Sequence, residues 1–349
     1  MGARPIFITE GDPSGISSQL IAQEEALLQK ISQSHPVFLI RSNTNVAYPF
    51  SKYKFQLEEG AGSKVLPNSG LYQLDAETYL QSTQKNNYSS LSKMQKSLLP
   101  RLMNGTQTLD RKITFGKPSI STGRMSYYSL LAGMSLVEKF GGSLITLPLS
   151  KEWVIKSGIA KFRGHTEALA EFFHCPSFML MAGEKWNVIP LTTHIPIRKV
   201  SSELKKLAWR NLFQSILDSK LFPKNARIGF MGLNPHAGEG GKVGDEEGKI
   251  LQPAMNLAKK MGFKVDGPLS ADSTFHLRNA SEWDILLACY HDQGLIPFKL
   301  LEGKKGINLT LGLPFLRVSP DHGPAYNIAA NKGKVDSMSL RQCLEWVQK

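Results

Sequence analysis

Short apolar runs that favour strands alternate with helical patterns along most of this chain, and that alternation narrows its fold more than anything else in it. Ile6 to Thr9 leads into a Gly/Pro turn, Glu10-Gly11-Asp12-Pro13-Ser14-Gly15, then an amphipathic stretch to about residue 33, then Val37 to Ile40. Later runs cover Ser143 to Leu147, Ser177 to Ala182, Arg227 to Gly232, Trp283 to Cys289 and Gly306 to Thr310. Between them, Ser201 to Ser219 places Leu204, Leu207, Ala208, Leu212, Ile216 and Leu217 on one helical face. Strands alternating with helices predict an α/β architecture with a largely parallel sheet. Residues 83–118 break the pattern; rich in Ser, Asn, Gln, Lys and Thr, they read as a polar surface insertion or long loop. At 349 residues the chain has room for two domains or one large α/β unit.

Three histidines follow apolar runs directly, in Leu191-Thr192-Thr193-His194-Ile195-Pro196, in Asn234 to Gly241 around His236, and in Tyr290-His291-Asp292-Gln293-Gly294. Strand ends of this kind are where open α/β sheets bind ligands. Three neutral imidazoles meeting there can hold one divalent ion and leave positions open for substrate. Spacings of 42 and 55 residues form no local ligand motif. By themselves the histidines leave two readings open, metal ligand or hydrogen-bonded loop residue. The glycine-dense Asn234 to Gly241 segment exposes backbone at a strand end, which an ordinary surface loop rarely needs.

Other segments carry the same double reading. Gly11 to Gly15 suits an anion at a helix start or an ordinary βα turn, the second being the simpler. Gly164-His165-Thr166-Glu167 precedes the helical pattern Ala168 to Phe173, so His165 and Thr166 are either anion contacts or a Thr cap beside a chance histidine. Lys299, Asn308 and Arg317 follow His291, and the two cations suit phosphate or carboxylate. No GxGxxG fingerprint and no GxxxxGK[ST] loop occurs, so a dinucleotide, if used, is not held in the usual Rossmann way.

A net charge of +13 admits nucleic acid or a small anion as partner. The basic residues are dispersed, with only short pairs such as Lys205-Lys206, and no nucleic-acid motif accompanies them; the small anion, or a solvated basic surface, is the better reading. Three cysteines without a CxxC pair fit a reducing cytoplasm. Neither a signal peptide nor an 18-residue apolar span is expected.

Taken in order, Ile8 to Ile16, Gly164 to Glu167, Thr192 to Pro196, Leu233 to Gly241, Gly267 to Asp272, Tyr290 to Gly294, Asn308 to Pro314 and Asp321-His322-Gly323 resemble the 4-hydroxythreonine-4-phosphate dehydrogenase family of pyridoxal phosphate biosynthesis. The resemblance implies two α/β domains of the isocitrate/isopropylmalate dehydrogenase-like fold with a cleft between them, the first from 1–149 plus 320–349 and the second from 150–319. It implies a homodimer with the site at the interface; no nucleic acid and no membrane are expected as partners, from the dispersed charge and the lack of a long apolar run. His194, His236 and His291 match the family's metal ligands. His165, Thr166, Lys299, Asn308 and Arg317 match its substrate contacts, and Asp272 is a candidate proton-transfer or histidine-orienting group.

The implied reaction is oxidation of the C3 hydroxyl of 4-hydroxythreonine 4-phosphate with NAD or NADP and one divalent ion (zinc, cobalt, magnesium or similar). Decarboxylation then gives 3-amino-2-oxopropyl phosphate. The alternative is a paralogue acting on threonate or erythronate phosphate. The chain departs from the family pattern at Glu10 for Pro, at Ile16 to Gln19 for Gly-Pro-Glu, at Ser150, Lys242 and Val318, and by one extra residue between Lys151 and His165.

Overall fold

A computed structural model describes residues 4–42, 50–52, 66–84, 112–276 and 281–348. Most of the polar 83–118 segment lies outside them. The chain divides into two compact units, residues 1–174 with 315–349, and residues 175–314. The first segment of unit 1 runs to His174. Helices Lys151–Lys156 and His165–Phe173 pack against the long helix Ile120–Phe140 of that unit, and so extend it.

Unit 1 is built on β1 (Ile6–Thr9), β2 (Pro36–Arg41), β3 (Ser51–Lys52), β4 (Gly70–Asp75), β5 (Ser143–Thr146) and β12 (Leu316–Pro320). They lie in the order β3-β4-β2-β1-β5-β12, and every pairing is parallel. β1 and β2 are buried along their whole length, as expected of an unbroken apolar run in a sheet covered on both faces. Helix Ile120–Phe140 packs on β1, β2 and β5 and is buried nearly all round from Thr122 to Val137. Ser119 caps it: its Oγ accepts the Thr122 amide at 3.2 Å, and Thr122 Oγ1 accepts the Ser119 amide at 2.9 Å.

Unit 2 contains β6 (Phe178–Ala182), β7 (Asn187–Pro190), β8 (Arg227–Met231), β9 (Lys264–Leu269), β10 (Ile285–Ala288) and β11 (Ile307–Leu311), ordered β11-β6-β7-β10-β8-β9. Within the largely parallel sheet, this unit holds one antiparallel strand. β6 runs antiparallel to both β11 and β7, while β7, β10, β8 and β9 are mutually parallel. The core beneath them gathers Met181, Trp186, Val188, Met231, Leu286, Ala288, Leu295 and Phe298. The Ser201–Ser219 pattern forms two helices, Val200–Lys206 and Trp209–Ser219, because Leu207 turns extended between them.

A buried carboxylate fixes the β6–β7 turn. Glu302, at the end of helix His291–Glu302, accepts the amides of Glu184 at 2.9 Å and of Lys185 and Trp186 at 2.8 Å. Replacing it with alanine leaves three donors without their acceptor. Glu302→Ala is expected to lower unfolding stability by about 2–3 kcal/mol, with Glu302→Gln milder; a urea midpoint equal to wild type would refute the clamp.

Candidate active site

The three histidines leave unit 2's sheet from neighbouring strands at one edge. His194 follows β7, His291 follows β10 and His236 follows β8, and these strands lie side by side and parallel. Their loops are tied to one another below the imidazoles. The Leu191 amide donates to the Ala288 carbonyl at 2.7 Å, and Thr192 Oγ1 donates to the Cys289 carbonyl at 2.8 Å. Gln293 receives the Cys289 amide on Oε1 at 2.6 Å and donates from Nε2 to the Gly232 carbonyl, also at 2.6 Å. One glutamine thus joins the β10 loop to the β8 loop.

The β8 loop has an unusual backbone. His236, Ala237, Gly238, Glu239 and Gly240 all have positive φ, between 46° and 78°. The left-handed region strains a residue with a Cβ, so something outside the run must hold it. Buried Glu247 does so, accepting the Asn234 amide at 2.8 Å and Asn234 Nδ2 at 3.0 Å. Glu247 opens the next helical segment, and its side chain folds back on this loop. The left-handed turn brings Glu239 under His236, with Oε1 2.9 Å from Nδ1. Asp272, just beyond β9, also acts on this imidazole. The Glu239 hydrogen bond first, and the Asp272 charge second, raise the His236 pKa above its ordinary value. Asp272 is itself held low, first by the Ser270 hydroxyl at 2.6 Å and also by His236.

His291 opens helix His291–Glu302, with Tyr290 as the residue before it, so it stands on a helix and not in a free loop. Its ring centroid lies 5.5 Å from that of His194. Its Nδ1 is 2.7 Å from Asp292 Oδ1. Among the described residues no group of three His, Cys, Asp or Glu side chains is close enough to hold an ion as it stands. Two of the three imidazoles are adjacent, and the third faces Glu239 and Asp272. The donor set nevertheless fits a divalent ion: three imidazoles share one sheet edge, and in two of them a carboxylate occupies Nδ1, leaving Nε2 to bind metal.

Asn308 lies in β11 of the same unit, and its buried Oδ1 has no hydrogen-bond partner. Lys299 is exposed on the helix that begins with His291, about two turns and ~12 Å further along its axis. That helix does not bring the ammonium's backbone to the histidines.

The remaining predicted contacts are in unit 1. Arg317, on β12, is buried, and its Nε donates to Thr146 Oγ1 at 3.1 Å. Burial pushes its pKa down to about 10, so it stays cationic at neutral pH. His165 begins helix His165–Phe173 after Gly164, and its Nε2 is buried without a partner. Burial, and then the Arg317 charge, hold its pKa well below the ordinary histidine value, which makes it a neutral imidazole. Thr166 is the second residue of that helix; the cap position belongs to Gly164, so the Thr-cap reading does not apply.

The first loop is filled by its own carboxylate. Asp12 accepts the Ser14 amide at 2.9 Å, the Ser14 hydroxyl at 2.6 Å and the Tyr326 hydroxyl at 2.7 Å, leaving an outside anion little to bind there. Gly11, at φ +70°, passes so close to the Pro148 carbonyl that a Cβ would sit 2.2 Å from it. Glu10, the departure from Pro, points into the core and pairs with Arg41 at 3.3 Å. Sequence reasoning missed this partner, which stands one residue past a strand-like run. Burial raises the Glu10 pKa to about 7, against the opposing pull of Arg41. A carboxyl raised above its ordinary 4.5 favours folding below that value and loses the contribution as pH climbs through about 7. Between pH 5 and 8, Glu10→Gln is therefore expected to gain stability relative to wild type as pH rises. A stability difference that does not change with pH in urea titrations would sink this.

Residues 61–347 match the family model of the pyridoxal phosphate biosynthetic protein PdxA. A 4-hydroxythreonine-4-phosphate dehydrogenase of Sulfurihydrogenibium sp. (strain YO3AOP1) is 33% identical over 345 residues, covering 97% of this chain and 96% of the relative. A protein of Oceanobacillus iheyensis, named provisionally as a D-threonate 4-phosphate dehydrogenase, is 32% identical over 351 residues, covering 99% and 97%. The crystal structure of 4-hydroxythreonine-4-phosphate dehydrogenase from Klebsiella pneumoniae superposes with a TM-score of 0.69 at 26% identity, covering 99% of this chain and 97% of that one. Family match, relatives and structure agree over nearly the full length, and the chain belongs to the PdxA family of pyridoxal phosphate biosynthetic proteins.

Proposed function

We propose that this protein oxidises the C3 hydroxyl of 4-hydroxythreonine 4-phosphate, with NAD or NADP as hydride acceptor and one divalent ion, and that the product loses CO2 to give 3-amino-2-oxopropyl phosphate. One observation carries the reading: His194, His291 and His236 leave adjacent parallel strands at one sheet edge, with the first two rings 5.5 Å apart. A divalent ion held by these three would lower the pKa of the substrate hydroxyl and stabilise negative charge on that oxygen.

The chain's own residues supply the rest. Arg317, oriented by Thr146, gives a fixed positive charge for carboxylate or phosphate. Beside it, His165 adds no second positive charge, and its Nε2 is available to a substrate oxygen or hydroxyl. Lys299 offers a second cation, Asn308 an amide oxygen, and Thr166 a hydroxyl in the first turn of its helix. Asp272, near His236, orients that imidazole or moves a proton at the site. The working form is a cytoplasmic homodimer that completes the site. Three free cysteines and the exposed Ile197, Ile296 and Leu300 near the histidine segments support that reading.

The second reading is a dehydrogenase of D-threonate 4-phosphate, supported by the Oceanobacillus relative, whose identity is within one percentage point of the first. Reduction of NAD or NADP with each substrate, with and without chelator, separates the two. The expected result is turnover of 4-hydroxythreonine 4-phosphate that chelator abolishes and added zinc or cobalt restores. Preference for threonate phosphate would transfer the assignment to the second reading, and inertness towards both would overturn the two together.

A further inference from the structure

Two of the three histidines meet a carboxylate at Nδ1, and the two contacts arise from unrelated backbone geometry. Glu239 reaches His236 because the strained left-handed turn curls the chain back within three residues, giving a 2.9 Å contact. Asp292 meets the ring of the preceding residue, His291, at a helix start, with a 2.7 Å contact. A carboxylate accepts a hydrogen bond and does not donate one, so each contact is a hydrogen bond when the proton sits on Nδ1. A neutral imidazole protonated at Nδ1 has its lone pair on Nε2.

We propose that Glu239 and Asp292 are positioning residues that hold His236 and His291 in the Nδ1-protonated tautomer, so that Nε2 of each is presented to the divalent ion. This rests on the metal reading above. Both carboxylates are solvent-exposed, with side chains 48% and 69% accessible, and neither is needed by the core. Asn234, Glu247 and Gln293 hold the loops beneath them, so the two acids are spare as far as the fold is concerned. Among the described residues His194 has no such carboxylate, which makes it an internal control.

The test uses the full-length protein and two measurements. Two-bond proton–nitrogen spectra of the metal-free protein report the tautomer of each histidine. Cobalt(II) titration, followed by absorbance, reports affinity. In wild type His236 and His291 are expected as Nδ1–H forms. Glu239→Ala and Asp292→Ala should each release their own histidine to a mixed tautomer, leave His194 unchanged, and weaken cobalt binding by about 10- to 100-fold. Glu239→Gln, whose amide oxygen still accepts from Nδ1, should restore most of that loss; a purely electrostatic role predicts Gln to be as weak as Ala. Alanine variants with wild-type affinity and tautomers would overturn the inference alone. A wild-type protein that takes up no cobalt would bring down the metal reading and this inference with it.

Discussion

Replacing His236 with asparagine should end metal-dependent turnover while the chain stays folded. Asparagine tolerates the left-handed conformation that residue 236 adopts, so the turn survives and only the imidazole is lost. The side chain is 66% exposed, and a surface substitution of this kind moves stability by only about 0.5 kcal/mol. Loss of one of the three proposed metal ligands should weaken binding by more than the ~100-fold upper end found for residues that only orient such groups. The check is metal content after dialysis, together with NAD or NADP reduction. Full activity with unchanged metal stoichiometry would refute the site.

Arg317→Ala should be the next most damaging change. Losing a charged contact to a buried ligand costs on the order of 2–5 kcal/mol, which corresponds to roughly a 30-fold to several-thousand-fold fall in kcat/KM. Because Arg317 is also buried against Thr146, its loss will disturb packing, and a second variant separates the effects. Arg317→Lys keeps the charge but not the planar fork, and should recover stability better than catalysis. Kinetics indistinguishable from wild type in the alanine variant would remove Arg317 from the site.

Much of the strand pattern was readable because buried strands are short unbroken apolar runs: β1 spans the very residues expected, and β8 and β10 fall inside their predicted runs. Some of the strands that escaped have weaker signatures. β4 and β9 carry glycine, and β9 also proline and two charged residues, so neither looks apolar. Helix Ile120–Phe140 escaped for the opposite reason: buried nearly all round, it has no polar face to generate a helical period. The antiparallel β6 was beyond local pattern altogether, since direction is set by the partner strand.

At the site, the three histidines were readable as polar residues after strand-like runs. What local sequence could not convey was that Glu239 lies beneath His236, because that depends on a left-handed turn anchored by Glu247, or that Glu10 meets Arg41, 31 positions away on the neighbouring strand.

The clamp on the β6–β7 turn has a bearing on how long the His194–His291 pair keeps its spacing. Helix His291–Glu302 is fastened at both ends, by Glu302 to the amides of residues 184–186 and, through Gln293, to the amide of Cys289, whose carbonyl receives Thr192. β7 runs between the same two fastenings and leads to His194. No local breathing motion of the backbone can part the segments that lead to His194 and His291 without releasing one of them. Deuterium uptake at the amides of Trp186 and Leu191 should therefore follow the global opening of unit 2, and not a cheaper local one. While those two amides remain protected, the backbone segments that carry the two histidines stay in register.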